Sequence, residues 1–380
     1  MVLGLTDIIN FISIFQLLIF IFFLVRKKTN RQSNKILAVF LFVQLFIISD
    51  YEIFSLKNYL IKISPNLFFI GTSFIFLAAP TFYLYVKSLA FADFRLQKKH
   101  ILHALPFTFV TLLFVFHFHI HTQEIKRIIL LKDDRLPKNF WIIFNCIVLT
   151  QILIYFVVDL NILKNYRNKI RQQYSSVKNI NLSWLSFILY AFIISWITSI
   201  FVFLSRNYFW NVLNILIFLN FFAFFIFFNY IFYKGLAQPE IFSRIEEKPK
   251  YNSSKLTSAD AEMHLTKLKS FMEQEKPYLN PALTLKELSS ELSIPARHLS
   301  QIINESMQSN FYDYISKYRI EEAKSILSDQ SSNKTVLEIL YEVGFNSKSS
   351  FNTAFKKYTG VTPSKFKRNS QPEIRLNQNQ

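Results

Sequence analysis

Residues Leu219–Tyr233 read LNFFAFFIFFNYIFY, fifteen consecutive positions without a charge, seven of them phenylalanine. A helix built from such a run has no polar face, so it must be surrounded by apolar material on every side. Roughly 20 apolar residues are needed to carry a helix through about 30 Å of hydrocarbon, and residues 210–233 meet that length. The reading extends to the whole amino-terminal half. The chain has 380 residues, 51% of them hydrophobic, with 44 Phe and only 5 Gly, a composition that argues against a soluble enzyme.

Seven stretches satisfy the spanning criterion, at about 7–25, 35–56, 67–90, 101–121, 139–161, 182–204 and 210–233. The segment Asp7–Val25 is too long for the apolar core of a secretory signal, has no basic stretch before it, and runs into RKKTNRQSNK, so it reads as a first span.

The formal charge of +18 suggests nucleic acid, but its distribution says otherwise. Residues 1–233 carry 22 Lys and Arg against 8 Asp and Glu, residues 234–276 carry 8 against 7, and residues 277–380 carry 13 against 10. Most of the excess lies between apolar segments, where the positive-inside rule puts it. Fourteen basic residues, among them Arg26, Lys27, Lys28, Lys98, Lys99, Arg167 and Arg171, fall in alternate loops at 26–35, 87–100 and 162–181. The opposite loops hold eight, five of them beside Glu124, Asp133 and Asp134. The expected location is thus the cytoplasmic (inner) membrane, multi-pass, with the carboxyl-terminal domain in the cytoplasm.

Within the spans, Asp50, Glu52 and Asp159 and the amides Gln16, Gln44, Asn145, Gln151, Asn211, Asn214 and Asn220 have two readings: a ligand-lining set, or cross-links between helices with the acids at the interface. In FHFHIH, His117 and His121 share a helix face with His119 opposite, either a weak metal or pH-sensing candidate or interfacial packing. The single Cys146 allows no intramolecular disulfide and no cysteine-based zinc site. No Walker loop, dinucleotide fingerprint, HExxH or GxSxG motif occurs, so neither an enzyme nor a cofactor is expected.

After the last span, residues 234–276 form a charged, Ser-containing linker, with a short amphipathic helix expected from Ser258 to Glu275 on Met263, Leu265, Leu268 and Met272. Then LTLKELSSELSIPARHLSQIINE (Leu283–Glu305) places Leu285, Leu288 and Leu292 on one helix face, breaks at LSIP, and places Leu299, Ile302 and Ile303 on a second: a helix-turn-helix pattern. It recurs about fifty residues later. Val336, Ile339, Leu340 and Val343 line a helix, Gly344 makes the turn, and Phe351, Phe355 and Tyr358 anchor the next. NFYDYISKYRIEEAKSIL between them has the period of a joining helix.

Carried by these motifs and by EVGFNSKSSFNTAFKKYTGVTPSKFK, residues 279–368 resemble the DNA-binding domain of AraC-type (AraC/XylS) transcriptional regulators. The whole layout resembles membrane-anchored members with seven-span amino-terminal domains. The implied fold is all-α: a seven-transmembrane-helix bundle over 1–233, a linker over 234–276, a two-helix-turn-helix domain over 277–370, and a disordered tail over 371–380. The resemblance implies double-stranded promoter DNA as partner and RNA polymerase as a further one; membrane lipid, an unidentified signal ligand and a homodimer complete the set. The sequence departs from the family pattern at Ser289 and Leu340, where Ala is common, at Ser293, where Gly is usual, and at Pro295, where a Ser cap is common, which puts the start of the first recognition helix in question.

In a helix-turn-helix, side chains near the start of the recognition helix reach base edges while their neighbours grip phosphates. The first reader offers Ala296, Arg297, His298, Ser300 and Gln301. The second offers Asn346, Ser347, Lys348, Ser349, Asn352 and Thr353. Arg297 suits guanine, Gln301 and Asn352 suit adenine, and Lys356, Lys357, Lys365, Lys367 and Arg368 suit phosphate. Two further readings stay open at this point: a transporter or enzyme with a DNA-binding appendage, and a tethered regulator released by proteolysis in the linker.

Overall fold

A computed structural model describes residues 3–28, 31–91, 93–132, 138–177, 180, 182–205, 210–237 and 256–370. The chain forms two compact units, one of residues 1–164 and 182–247, the other of 165–181 and 248–380. The expectations for the loop charges Asp133, Asp134, Arg135, Lys178 and Arg206, for much of the linker and for the tail 371–380 lie outside the described residues.

The first unit contains α1 (Leu5–Arg26), α2 (Arg31–Ser55), α3 (Lys57–Ile63), α4 (Ile75–Ala90), α5 (Leu105–Phe114), α6 (Gln123–Lys132), most of α7 (Lys138–Gln173), α8 (Ser183–Ser205) and α9 (Trp210–Ala237). Among the described residues, seven helical segments are long and apolar enough to cross a membrane: Leu5–Arg26, Arg31–Ser55, Pro65–Ala90, Lys98–His119, Asn139–Gln173, Ser183–Phe201 and Asn214–Lys234. Phenyl rings supply much of the packing: Phe40 meets Phe82 and Phe192, and Phe69 stacks on Phe114 at 5.0 Å.

Two of the expected spans are irregular. The third begins with 3-10 turns at Pro65–Leu67 and Thr72–Phe74 before α4. The fourth starts as a 3-10 helix, Lys98–Ala104, and ends in a π turn, Val115–His119. His121 lies beyond that turn, so the α-helical face expected to unite it with His117 is not formed. Among the described residues no group of three His, Cys, Asp or Glu is placed to hold a metal.

Several span polar groups do cross-link helices. The Asn10 amide donates to Glu52 at 2.6 Å, Gln16 pairs with Asn229, Gln151 donates to the Phe76 carbonyl at 3.0 Å, and Ser195 donates to Asn220 at 2.6 Å. Asp50 accepts from the Gly71 amide and the Thr72 hydroxyl.

In the second unit, α7 does not stop at the expected end of its span near 161 but continues to Gln173. After it come α10 (Ser258–Gln274), α11 (Leu285–Leu292), α12 (Ala296–Glu305), α13 (Phe311–Ser328), α14 (Val336–Glu342), α15 (Lys348–Thr359) and α16 (Pro363–Ser370). Of the apolar positions expected to seat α10, Leu268 and Met272 are fully buried, while Met263 is 60% exposed. Capping explains where the short helices begin. Thr284 with Glu287 and Thr335 with Glu338 form reciprocal capping boxes on α11 and α14, and the Asn310 side chain caps α13.

Candidate nucleic-acid interface

The joining helix α13 is shared by two cores. Its Phe311, Tyr314 and Ile315 pack with Leu285, Leu288, Leu292, Leu299 and Ile303 of the first helix-turn-helix. Its Ile320, Ala323 and Leu327 pack with Ile339, Leu340, Phe345, Phe351 and Phe355 of the second. One amphipathic helix thus fixes both readers, because each lobe buries its apolar stripe against a different part of the same surface.

Arg319 lies on α13 between those two apolar sets and is wholly buried. Its Nε donates to the Tyr278 carbonyl at 2.6 Å and its Nη2 to the Asn280 carbonyl at 2.8 Å. The guanidinium also lies 5.5 Å from the centre of the Phe345 ring. Burial draws its pKa down to about 10, with Tyr312 opposing, so it remains protonated at neutral pH. Gly344 completes the junction: at φ 87° it sits where a Cβ would meet the carbonyl oxygens of Tyr278 and Leu279 at 2.7 Å. Glycine is needed there for conformation and for space.

The segment after α7 joins the same junction. Nη1 of Arg319 donates to the Ser175 carbonyl at 3.0 Å, and Nη2 to its hydroxyl at 3.2 Å. The Ser175 amide donates to the Leu283 carbonyl at 3.1 Å, Tyr174 bridges Thr284 in antiparallel sense, and the Arg171 guanidinium lies 5.7 Å from the Tyr312 ring centre. The sequence contains no signal for this, since most of the acceptors are backbone atoms; only the apolar pair Tyr166 and Ile170, both buried, marks residues 165–181 as more than a loop.

The departures from the family pattern each have a structural consequence. Ser289 is buried and its hydroxyl donates to the Ile294 carbonyl at 2.6 Å. Leu340 is fully buried in the second core. Ser293 terminates α11 in the left-handed conformation, φ 53° and ψ 36°, a shape glycine adopts without strain. Pro295 precedes α12 without any side-chain cap.

On the first reader, Arg297 is exposed, and Ala296, His298, Ser300 and Gln301 are half-buried on α12. Gln301 donates to Glu305 at 3.1 Å, and the His298 ring lies 6.5 Å from that of His264 on α10, so both have partners within the domain. On the second reader, Lys348, Ser349 and Thr353 are exposed, and Asn346 and Asn352 half-buried. Ser347 differs from the rest. It is 5% exposed, accepts from the Ser350 amide and donates to the Ser350 hydroxyl, which makes it the cap of α15. A Ser one position before a recognition helix carries that capping signal in the sequence itself.

Among the basic candidates, Lys356, Lys365 and Arg368 are exposed. Lys357 forms an ion pair with Asp313 at 2.9 Å; burial works against its charge, but the carboxylate outweighs that and holds its pKa above the usual lysine range.

Residues 288–369 match the family model of a helix-turn-helix domain. The melibiose operon regulatory protein of Escherichia coli (strain K12) is 28% identical over 114 residues, covering 30% of this chain and 36% of that protein. An uncharacterized HTH-type transcriptional regulator of Staphylococcus aureus (strain COL) is 35% identical over 96 residues, 25% of this chain and 12% of its own. The chain therefore spans about a third or less of the length of these relatives. Among solved structures, the carboxyl-terminal domain of AraT, a response regulator from Geobacillus stearothermophilus, is 26% identical, with a TM-score of 0.25, over 31% of this chain and 90% of that one. The corresponding domain of the response regulator yesN from Fusobacterium nucleatum is 29% identical, with a TM-score of 0.24, over 29% and 99%. With its two helix-turn-helix lobes joined by α13, this carboxyl-terminal region is a helix-turn-helix domain of the AraC type.

Proposed function

We propose that the chain is a membrane-anchored, sequence-specific transcriptional regulator in which a signal at the spanning helices alters promoter binding by the carboxyl-terminal domain. The observation that carries this reading is the presence, in one polypeptide, of seven apolar helices of spanning length and a two-reader helix-turn-helix domain. The named relatives support the regulatory half, since both are regulators by name and neither is named as an enzyme. The seven apolar spans are compatible with a membrane protein, and their odd number with the basic alternate loops supports an inner-membrane location with the carboxyl-terminal domain on the cytoplasmic side.

A ligand shifts a two-state equilibrium only through its differential affinity for the two states, so the signal needs a physical route to the readers. The segment following α7 supplies one. With 36 residues, α7 is about 54 Å long, well beyond the roughly 30 Å of a hydrocarbon core. Its far end leads directly into Tyr174 and Ser175, which bond the first helix-turn-helix and α13. A shift or rotation of α7 would therefore be felt at the junction between the two readers.

The test is genome-wide crosslinking and immunoprecipitation of the full-length protein beside an Arg297→Ala, Asn352→Ala double variant. Discrete peaks that share a motif and vanish in the variant are expected. A stably expressed protein with no peaks under any growth condition would refute promoter binding by the intact chain.

A further inference from the structure

Five helices of the first unit, α2, α4, α7, α8 and α9, surround a cavity of about 670 Å³. That lies within the range of roughly 300–1,000 Å³ typical of sites for small organic ligands. Its walls are largely apolar, with phenyl rings contributed by Phe40, Phe82, Phe156, Phe192 and Phe224, and among the described residues neither Lys nor Arg lines it.

Two polar groups on this wall have no partner. Asp159 is 2% exposed and forms no hydrogen bond or ion pair among the described residues, and its Oδ1 is inaccessible. The Trp196 Nε1 is likewise buried and unbonded. The contrast with neighbouring polar groups is direct. Asp50 is held by Gly71 and Thr72, and the cavity-lining Ser195 and Asn220 satisfy one another. Asp159 and Trp196 both line this cavity, and Asp159 is the one carboxylate among its described lining residues.

Burying an ionised carboxylate with no counter-charge is strongly unfavourable, and a cation that also donates a hydrogen bond removes that penalty. Aromatic faces attract the same cation through their quadrupoles, and they accept a hydrophobic body. A divalent metal ion does not suit the site, because Ca²⁺ and Mg²⁺ take six or more oxygen ligands and Zn²⁺ at least three protein ligands, and no group of three His, Cys, Asp or Glu is placed to hold a metal among the described residues. An anion would face the carboxylate with no basic residue to receive it.

We propose that this cavity binds a lipophilic organic cation, with an ammonium head against Asp159 and an aromatic or aliphatic body along the phenyl wall. Binding depends only on the cavity. That the bound cation is the regulator's signal rests on the function proposed above.

The experiment uses full-length protein in lipid nanodiscs with 2-(1-naphthyl)ethylammonium as the probe and 1-ethylnaphthalene, its uncharged counterpart, as control, both followed by naphthalene fluorescence. Saturable binding of the cation is expected, weakened at least tenfold by Asp159→Asn, while the uncharged control changes less than twofold. Asp159→Glu, which keeps the charge, should retain cation binding, and Ala79→Phe, which fills part of the cavity, should weaken both compounds. Absence of saturable binding, or equal binding of the cation by the wild type and Asp159→Asn, overturns the proposal. The assay contains no DNA, so its failure leaves promoter binding standing, and a lack of promoter peaks leaves cation binding standing.

Discussion

Arg319 and Ser175, separated by 144 positions in the chain, are joined by two hydrogen bonds, one to the carbonyl and one to the hydroxyl of Ser175. The same guanidinium bonds the carbonyls of Tyr278 and Asn280. A single buried cation therefore satisfies three backbone acceptors from two separate chain segments. Hydrogen bonds from a charged donor contribute about 1.5–3 kcal/mol each, and a buried acceptor stripped of its partner costs about 1–3 kcal/mol.

The first prediction concerns that junction. Arg319→Met keeps much of the side-chain volume but leaves the Ser175 and Tyr278 carbonyls unbonded and the Asn280 carbonyl with only the Leu283 amide, and it should cost at least about 3 kcal/mol. Amide hydrogen exchange of α13 in the full-length protein would then show protection lowered by about two orders of magnitude. Unchanged protection would mean that water replaces the guanidinium without loss. Ser175→Ala removes only the hydroxyl bond and should cost no more than about 1 kcal/mol.

The two left-handed glycines separate conformation from space. Gly360→Ala, at φ 77° with nothing within 4 Å of the added Cβ, should cost only the left-handed strain of about 1–2 kcal/mol. Gly344→Ala carries the same strain and also drives a methyl to 2.7 Å from two carbonyl oxygens, with the Arg319 Nε at 3.0 Å. It should be markedly the more destabilising of the pair in denaturant titrations, and equal losses would show that the Tyr278–Leu279 turn yields easily.

Ser293 predicts the opposite sign. Because a non-glycine residue holds the left-handed end of α11, Ser293→Gly should relieve strain by more than the entropy that glycine adds to the unfolded chain, a net gain of about 0.5 kcal/mol. A rise in the denaturation midpoint with unchanged slope checks it; a fall would mean that the serine side chain contributes something its strain conceals.

The all-α class and the apolar spans are legible because each element repeats one simple pattern: uninterrupted apolar runs such as Leu219–Tyr233, and a 3.6-residue period at Leu285, Leu288 and Leu292. The turn at Gly344 is legible for the same local reason. What escapes the sequence is non-local or carried by backbone. The carbonyls of Ser175, Tyr278 and Asn280 have no side-chain signature, so Arg319 reads only as a polar position on the joining helix. The π turn at Val115–His119 leaves no mark on composition, which is why a shared face for His117 and His121 looked available. Ser347, expected from the sequence to contact a base, is instead the cap of α15, its hydroxyl occupied by Ser350.

The last prediction sorts the candidate contacts by what they would do to DNA binding. Arg297→Ala and Asn352→Ala should each cost about 1–3 kcal/mol on an identified operator and relax specificity at one position, because bidentate base contacts discriminate by that amount. Lys365→Ala should weaken operator and random DNA alike and reduce the slope of log affinity against log salt by about 1. Lys357→Ala should reduce that slope by less, since the ammonium is already engaged by Asp313 and does not neutralise a phosphate in full. Ser347→Ala should act through the cap, lowering the stability of α15 by about 1 kcal/mol while leaving the relative affinities for different sequences unchanged. Fluorescence anisotropy titrations at several salt concentrations, with operator and scrambled duplexes, separate all four cases. If Arg297→Ala changed the salt slope and left the sequence preference intact, that arginine would be a phosphate contact, and recognition by the first reader would have to rest on Gln301 and Ser300.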